Sequence, residues 1–490
     1  MAQTNNTRQA AWVAIGSLCS FGFSIVSSMI LSRYFNKADY GTYKQVIYVY
    51  TSLLTVFTLG LPKAFSYFLP RVELAQSKSL IRKITNLFFL LGGVFSLLLF
   101  VFAPQIASFL NNPDLIKALR IFAIVPFLLL PTMGLDGVLA TFKQSMFIAL
   151  YHILTNVFKL LCVALPVMIW NLGYTEALIG FVVASVITFL MALYLQYYPV
   201  HGIASERCNV TYKELFKFSI PLLFASFWGI IIASADQFFV SRYFGNEVFA
   251  DFSNGSMELP FVGMITGACA TVLSPVFSRM SHEKLNPKTE IYPLWMNVFE
   301  KTAKLIYPLV IYCMVFADIV MVVLYGQKYE TSDNYFRIKL ITNFFTLIAY
   351  GPLIINIGKV KYYSNVHMIT ALLVVALEFI SVKTIHSPYA ISWISMICHV
   401  GKIAAMLLLV SKFFNIRFYQ LFPLKLMGQI IVPSTLFLLL EKYVLLNYFN
   451  LNSVVTMLVS MAIYVIVYYC YSLMTKMDYL EILKPIIKKR

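Results

Sequence analysis

The sequence predicts an all-α polytopic membrane protein of about fourteen spans, on three observations. The first is solvent. Of the 490 residues, 60% are hydrophobic and 12% charged, whereas a soluble domain carries about twice that charge to coat its surface. The second is length, since apolar runs of about 20 residues, enough to cross a bilayer core, recur from one end to the other. The third is where the charge goes. The net charge is +17, but Lys and Arg collect in the short joints between the runs. A nucleic-acid binder would instead gather them on one soluble face, so that partner is excluded.

Taken in order, the runs fall at 10–32, 43–66, 84–106, 117–140, 145–170, 176–198, 216–241 and 247–277. They continue at 302–325, 337–358, 362–382, 388–411, 424–447 and 452–474. The first is too long for a signal-peptide core and reads as a retained span. If residue 1 is cytoplasmic, the cytoplasmic joints hold roughly twice the Lys and Arg of the outer ones, as the positive-inside rule requires. Both termini are then cytoplasmic. The basic joints are 71–83, 207–217, 279–304 and the tail at 484–490. No outer joint exceeds roughly 15 residues, which is ordinary connector length. The seven cysteines are scattered, with no zinc-like spacing among them or with histidine, and read as small buried hydrophobes. No metal or cofactor is expected.

An internal repeat organises the spans. Ser32-Arg33-Tyr34-Phe35 closes the first run and Ser241-Arg242-Tyr243-Phe244 closes the seventh. Tyr40-Gly41-x-Tyr43 then aligns with Phe249-Ala250-x-Phe252, and a further apolar run follows in each copy. Copies six spans apart and in the same orientation imply two parallel six-helix lobes, as in repeat-built transporters. The lobes would be 1–205 and 206–420, with a helix pair and basic tail at 421–490.

These residues carry a resemblance. The opening Ser32-Arg33-Tyr34-Phe35, with Asp39-Tyr40-Gly41-x-Tyr43 after it, resembles the start of bacterial polysaccharide repeat-unit flippases. Those are the O-antigen and capsule exporters of the multidrug/oligosaccharidyl-lipid/polysaccharide exporter superfamily. The stretch Ser234-Ala235-Asp236-Gln237-Phe238-Phe239 before Ser241 is similar to the family's matching segment. Asn36-Lys37-Ala38-Asp39 departs from the family's usual Gly or Pro before the acidic residue. The resemblance implies a transporter rather than an enzyme, in a bacterial inner membrane, with two lobes around a central cavity and an added helix pair. Its cargo would be a polyprenyl-diphosphate-linked oligosaccharide, moved from the cytoplasmic to the outer leaflet. Membrane lipids and other polysaccharide-assembly proteins would be its partners.

Charges inside the runs mark the candidate path. A Lys, Arg or Asp at a helix centre costs about 2.5–3.5 kcal/mol to insert, so it faces a cavity or a partner. The deepest are Lys159, Lys402 and Glu258; Lys63 lies about 12 Å along its helix from Arg71. Arg33, Arg242 and Asp236 sit near outer ends. Arg33, Lys63 and Arg242 also fit simple snorkelling to the headgroups. Asp136, Asp318 and Glu378 read as solvated helix caps. A diphosphate dragged through hydrocarbon would cost tens of kcal/mol, so a path for it must supply cations. Arg33, Lys63, Lys159, Arg242 and Lys402 are the candidates for that role. Asp236 and Glu258 fit ion coupling or ion pairing. A multidrug/cation antiporter of the same superfamily is the nearest alternative, but would favour carboxylates in the first lobe. A membrane polymerase or glycosyltransferase would need a sizeable outer loop, and none is present.

Overall fold

A computed structural model describes residues 2–283, 285–449, 451–475, 477 and 479; the basic tail at 484–490 lies outside them. The described residues form helices and short connections, with no strand among them. In chain order the helical spans are α1 (Ala2–Tyr34), α2 (Lys37–Arg71), α3 (Leu74–Val101), α4 (Leu115–Thr141), α5 (Ser145–Trp170), α6 (Tyr174–Val200) and α7 (Tyr212–Gly255). They continue as α8 (Pro260–His282), α9 (Pro287–Val315 and Ala317–Tyr325), α10 (Ser332–Thr346 and Tyr350–Asn356), α11 (Val360–Thr384), α12 (Pro388–Phe414), α13 (Leu424–Tyr448) and α14 (Ser453–Met474). α1–α6 and α11–α14 are each long and apolar enough to cross a bilayer, and α7, α9 and α10 are so as bent pairs. α8, at 23 residues, is also of spanning length. The chain is an all-α multi-pass membrane protein.

Local chemistry sets the helix ends. The Asn36 side chain accepts the Asp39 N–H and starts α2, and Asn452 accepts from Val455 to start α14. Such caps satisfy N–H groups that have no partner within the helix. Pro260 and Pro388 occupy first-turn positions of α8 and α12, where a missing N–H costs nothing. One boundary differs from the sequence expectation. Hydropathy starts the eighth run at 247, but α7 continues through a kink at Gly245 (φ 82°) to Gly255, and α8 starts only at Pro260. A proline restrains the residue before it to extended backbone, so Leu259-Pro260 ends one helix and seeds the next. Glu258 therefore lies in the connection, 85% exposed, rather than deep in a span.

The chain divides into two compact units, Met1–Ala250 and Asp251–Arg490. In the first, α1 packs along α5, and α5 against α6. The first half of α2 is sewn to the end of α7. Gln45 Nε2 donates to Ser241 Oγ at 2.8 Å, and Asn112 Nδ2 donates to Gln45 Oε1 at 2.6 Å and to Thr42 Oγ1 at 3.0 Å. Asn246 Nδ2 donates to the Ala38 carbonyl at 3.2 Å. Gly41 permits this approach, since a Cβ there would lie 1.9 Å from the Asn246 carbonyl oxygen. The connection after α6 is pinned along α3: Glu206 N–H donates to Ala75 O, Cys208 N–H to Ser79 Oγ, and Lys83 Nζ to Val210 O.

The second unit is braced around breaks in its helices. α9 bends by 79° between Val315 and Ala317. Lys442 on α13 closes that break, donating to Val315 O at 2.9 Å and to both Asp318 oxygens at 2.7 and 2.8 Å. Arg337 on α10 joins from the other side, 3.6 Å from Asp318 and 2.6 Å from Asp333. Asp318 is thus the centre of an ion network rather than a solvated cap. Prolines inside α9 and α13 remove an N–H each, and tyrosines satisfy the carbonyls four residues back. Tyr479 donates to Lys304 O at 2.9 Å, four residues before Pro308. Tyr471 donates to Gln429 O at 3.0 Å, four residues before Pro433.

Candidate functional site

In the first unit, a cleft of about 250 Å³ opens among α1, α2, α5 and α6. Ser24, Ser27, Ser28 and Leu31 line it from α1, and Tyr43, Lys44, Ile47, Tyr50 and Thr51 from α2. These spacings each place a single helix face on the cleft. Asn156 and Lys159 face it from α5, and Phe181 from α6.

Lys159 lies at the boundary where α5 passes into a π-helical turn, Leu160–Ala164, ahead of Pro166. Single π-turns of this kind re-aim side chains and are frequent at functional sites. The Lys159 ammonium lies 4.8 Å from the centre of the Phe181 ring, and that of Lys44 5.1 Å from the Tyr40 ring. Cation–π contacts of this length hold an ammonium without neutralising it. Among the described residues neither lysine is ion-paired with a carboxylate, and no Asp or Glu lines the cleft. Two cations among serine, threonine, asparagine and tyrosine groups suit an anionic ligand that also bears hydroxyls.

The other predicted path residues fall elsewhere. Lys63 is exposed, on the second part of α2 after its break at 58–61. Arg33 is exposed at the end of α1. Arg242 donates to Ser108 O at 2.8 Å and lies beside the Phe109 ring. Asp236 is 9% exposed on α7, and its Oδ1 accepts the Gln237 N–H. In the second unit, Lys402 is 8% exposed on α12, within electrostatic reach of His399, His367 and Lys339. Lys339 Nζ lies 3.8 Å from Glu258. Of the seven predicted residues, only Lys159 lines the cleft.

Lys44 is not among the predicted residues. The second hydropathy run begins at 43, which puts Lys44 at the membrane edge, whereas α2 starts at Lys37 and Lys44 lies two turns inside. The readable signal is the repeat of polar residues at 24, 27 and 28 and at 44 and 51, each on one helical face. Asp136 meets His152 Nε2 at 3.1 Å instead of standing as a free cap, and Glu378 is fully buried.

The comparisons with known proteins agree with this architecture. The family described as "Polysaccharide biosynthesis protein" matches residues 30–334. No curated protein matches the chain. Among solved structures, the lipid II flippase MurJ in an inward closed conformation superposes with a TM-score of 0.73 at 17% identity, covering 96% of this chain and 99% of that one. A transporter of the MOP superfamily from Pyrococcus furiosus gives 0.57 at 14% identity, covering 84% of this chain and 96% of that one. An inward-facing multidrug-resistance MATE transporter gives 0.56 at 14% identity, covering 85% and 96%. At these identities the likeness is one of fold, and that fold is a membrane transporter's. With the family matching well over half of its length, the chain belongs to the polysaccharide biosynthesis protein family.

Proposed function

We propose that the protein is a flippase that moves polyprenyl-diphosphate-linked oligosaccharide repeat units, of the O-antigen or capsule kind, from the cytoplasmic to the outer leaflet. The observation that carries this reading is the cleft with Lys44 and Lys159 and no carboxylate. The diphosphate is the one obligatory charge of such a cargo, and carrying it through hydrocarbon without cations would cost tens of kcal/mol. The serine, threonine and asparagine groups beside the lysines match sugar hydroxyls. Family membership and the flippase named among the similar folds support the same class of cargo. A cation-exporting antiporter would need acidic groups in the cleft, where this chain places lysines.

In this reading the working parts are the lobes 1–205 and 206–420, which alternate access around a central cavity, and the helix pair at 421–490. The protein sits in the bacterial inner membrane with both termini cytoplasmic, alongside other assembly proteins. Arg33, Lys63, Arg242 and Lys402 extend the cationic path, while Asp236 and Glu258 serve ion coupling or pairing. The test is deletion of the gene followed by a leaflet-accessibility assay on lipid-linked oligosaccharide. Accumulation in the cytoplasmic leaflet is expected. Normal outer-leaflet display with intact surface polymer would overturn the proposal.

A further inference from the structure

We propose that Glu441 is a proton-binding site inside the membrane, reached through a seam of hydroxyls on one face of α14. Its setting is hostile to a charge. Glu441 lies seven residues, about 10 Å, from the end of α13, and is 7% exposed. Both carboxyl oxygens are buried, and among the described residues neither has a hydrogen-bond partner. An ionised carboxylate in such a place would carry a desolvation cost that nothing offsets.

Among the described residues the neighbouring groups supply no counter-charge. α13 packs against the first part of α9 and against α14. The titratable groups facing Glu441 are Tyr312 on α9, with Cys313 beside it, and Tyr464 on α14. On its own helix Lys442 is the next residue, but its ammonium is held by Asp318 and the Val315 carbonyl. Arg337 is held by Asp318 and Asp333. With both oxygens covered, a proton fits where a hydrated metal ion does not. The ligand that removes the unbalanced charge is therefore H⁺, taken up as the carboxylic acid.

A proton bound there needs a route. Ser460, Tyr464 and Tyr468 recur on α14 at spacings of four, so they share one face. Tyr312 OH and Ser460 Oγ are hydrogen-bonded at 2.8 Å. The rings of Tyr312 and Tyr464 lie 6.0 Å apart, and those of Tyr464 and Tyr468 5.5 Å. Tyr468 OH and Tyr479 OH are bonded at 2.7 Å, beyond the end of α14. The Tyr464 hydroxyl donates to Pro308 O at 3.3 Å and that of Tyr479 to Lys304 O at 2.9 Å, so the seam is two hydrogen-bonded pairs with Tyr464 between them, and passage requires Tyr464 to turn from its carbonyl. On release, the carboxyl O–H bond breaks and the carboxylate keeps the electron pair. As Tyr464 turns, the proton adds to its hydroxyl oxygen and its own proton passes to the hydrogen-bonded Tyr468–Tyr479 pair, from which water takes the last one. Uptake is the reverse. Use of this site for energy coupling rests on the transporter fold, not on the identity of the cargo.

The test uses the purified full chain in lipid nanodiscs without any cargo, so its outcome is independent of the flippase reading. Infrared spectroscopy during transfer to deuterated water should show a carboxylic-acid C=O band that is absent in Glu441→Gln. Its hydrogen–deuterium exchange should slow by at least about tenfold in Tyr464→Phe, and remain at the wild-type rate in Tyr471→Phe, whose hydroxyl serves the Gln429 carbonyl. Absence of a Glu441-dependent acid band would overturn the proton site. An unchanged exchange rate in Tyr464→Phe would overturn the seam. If Glu441→Gln does not fold, dicyclohexylcarbodiimide, which attacks protonated carboxyls in apolar surroundings, replaces it as the probe on wild-type protein. Mass-spectrometric modification at residue 441 is then expected, and an unmodified Glu441 sinks the proposal.

Discussion

The two units place basic side chains in the membrane for opposite ends. In the first, Lys44 and Lys159 lie against aromatic rings on an open cleft, and among the described residues no carboxylate engages either of them. In the second, Lys442 and Arg337 are held by Asp318, Asp333 and the carbonyls of Val315 and Met314. The chemistry of the side chains is alike, so the difference lies in what meets them. A cation whose partner is fixed in the fold braces a broken helix. A cation left to aromatic rings and hydroxyls keeps its charge available for a ligand. Lys402 lies apart from both groups, buried on α12 within electrostatic reach of His399, His367 and Lys339.

The sharpest way to break this comparison is to remove the available cations. The double substitution Lys44→Ala and Lys159→Ala should reduce outer-leaflet display by about 10- to 100-fold, the equivalent of one to two charge-assisted hydrogen bonds, with thermal stability unchanged. Display assays at matched protein level check it; unimpaired display would show that the cleft carries no cargo. The reverse outcome is expected in the second unit. Asp318→Asn leaves Lys442 and Arg337 without their shared anion and should destabilise the protein by about 1–3 kcal/mol, read as a lower Tm in detergent. A smaller loss, about 1 kcal/mol, is expected for Tyr471→Phe, which exposes the carbonyl that Pro433 frees. A Tm equal to wild type there would mean that another donor serves Gln429.

Much of the fold is legible because the bilayer imposes a length on each run and a composition on each face. Reading fails at the places where a helix is not one rod. Glu258 looks central in the sequence because α7 and α8 nearly abut, with only residues 256–259 between them. Lys44 looks interfacial because the polar start of α2, from Lys37 to Lys44, does not register as a hydrophobic run. Lys159 is legible from its depth alone, since a lysine that far from either end of its span must meet a cavity or a partner. The pairing of Lys442 with Asp318 has no local signal, because it joins residues 124 positions apart. Hydropathy shows which residues enter the membrane, and the partners they meet there depend on helix packing.

The pinned connection after α6 has a consequence for how the chain can move. With Glu206, Cys208 and Val210 each tied to α3, the stretch leading into α7 behaves as a clamp and not as slack rope. A swing of α7 within the first unit cannot be taken up by unwinding that loop. It must be absorbed along the helix itself, at Pro221, where one rung of the hydrogen-bond ladder is absent, and at Gly245, where the backbone has already left helical geometry. Stiffness in this protein would then be set by two residues of one helix, and the loops would follow.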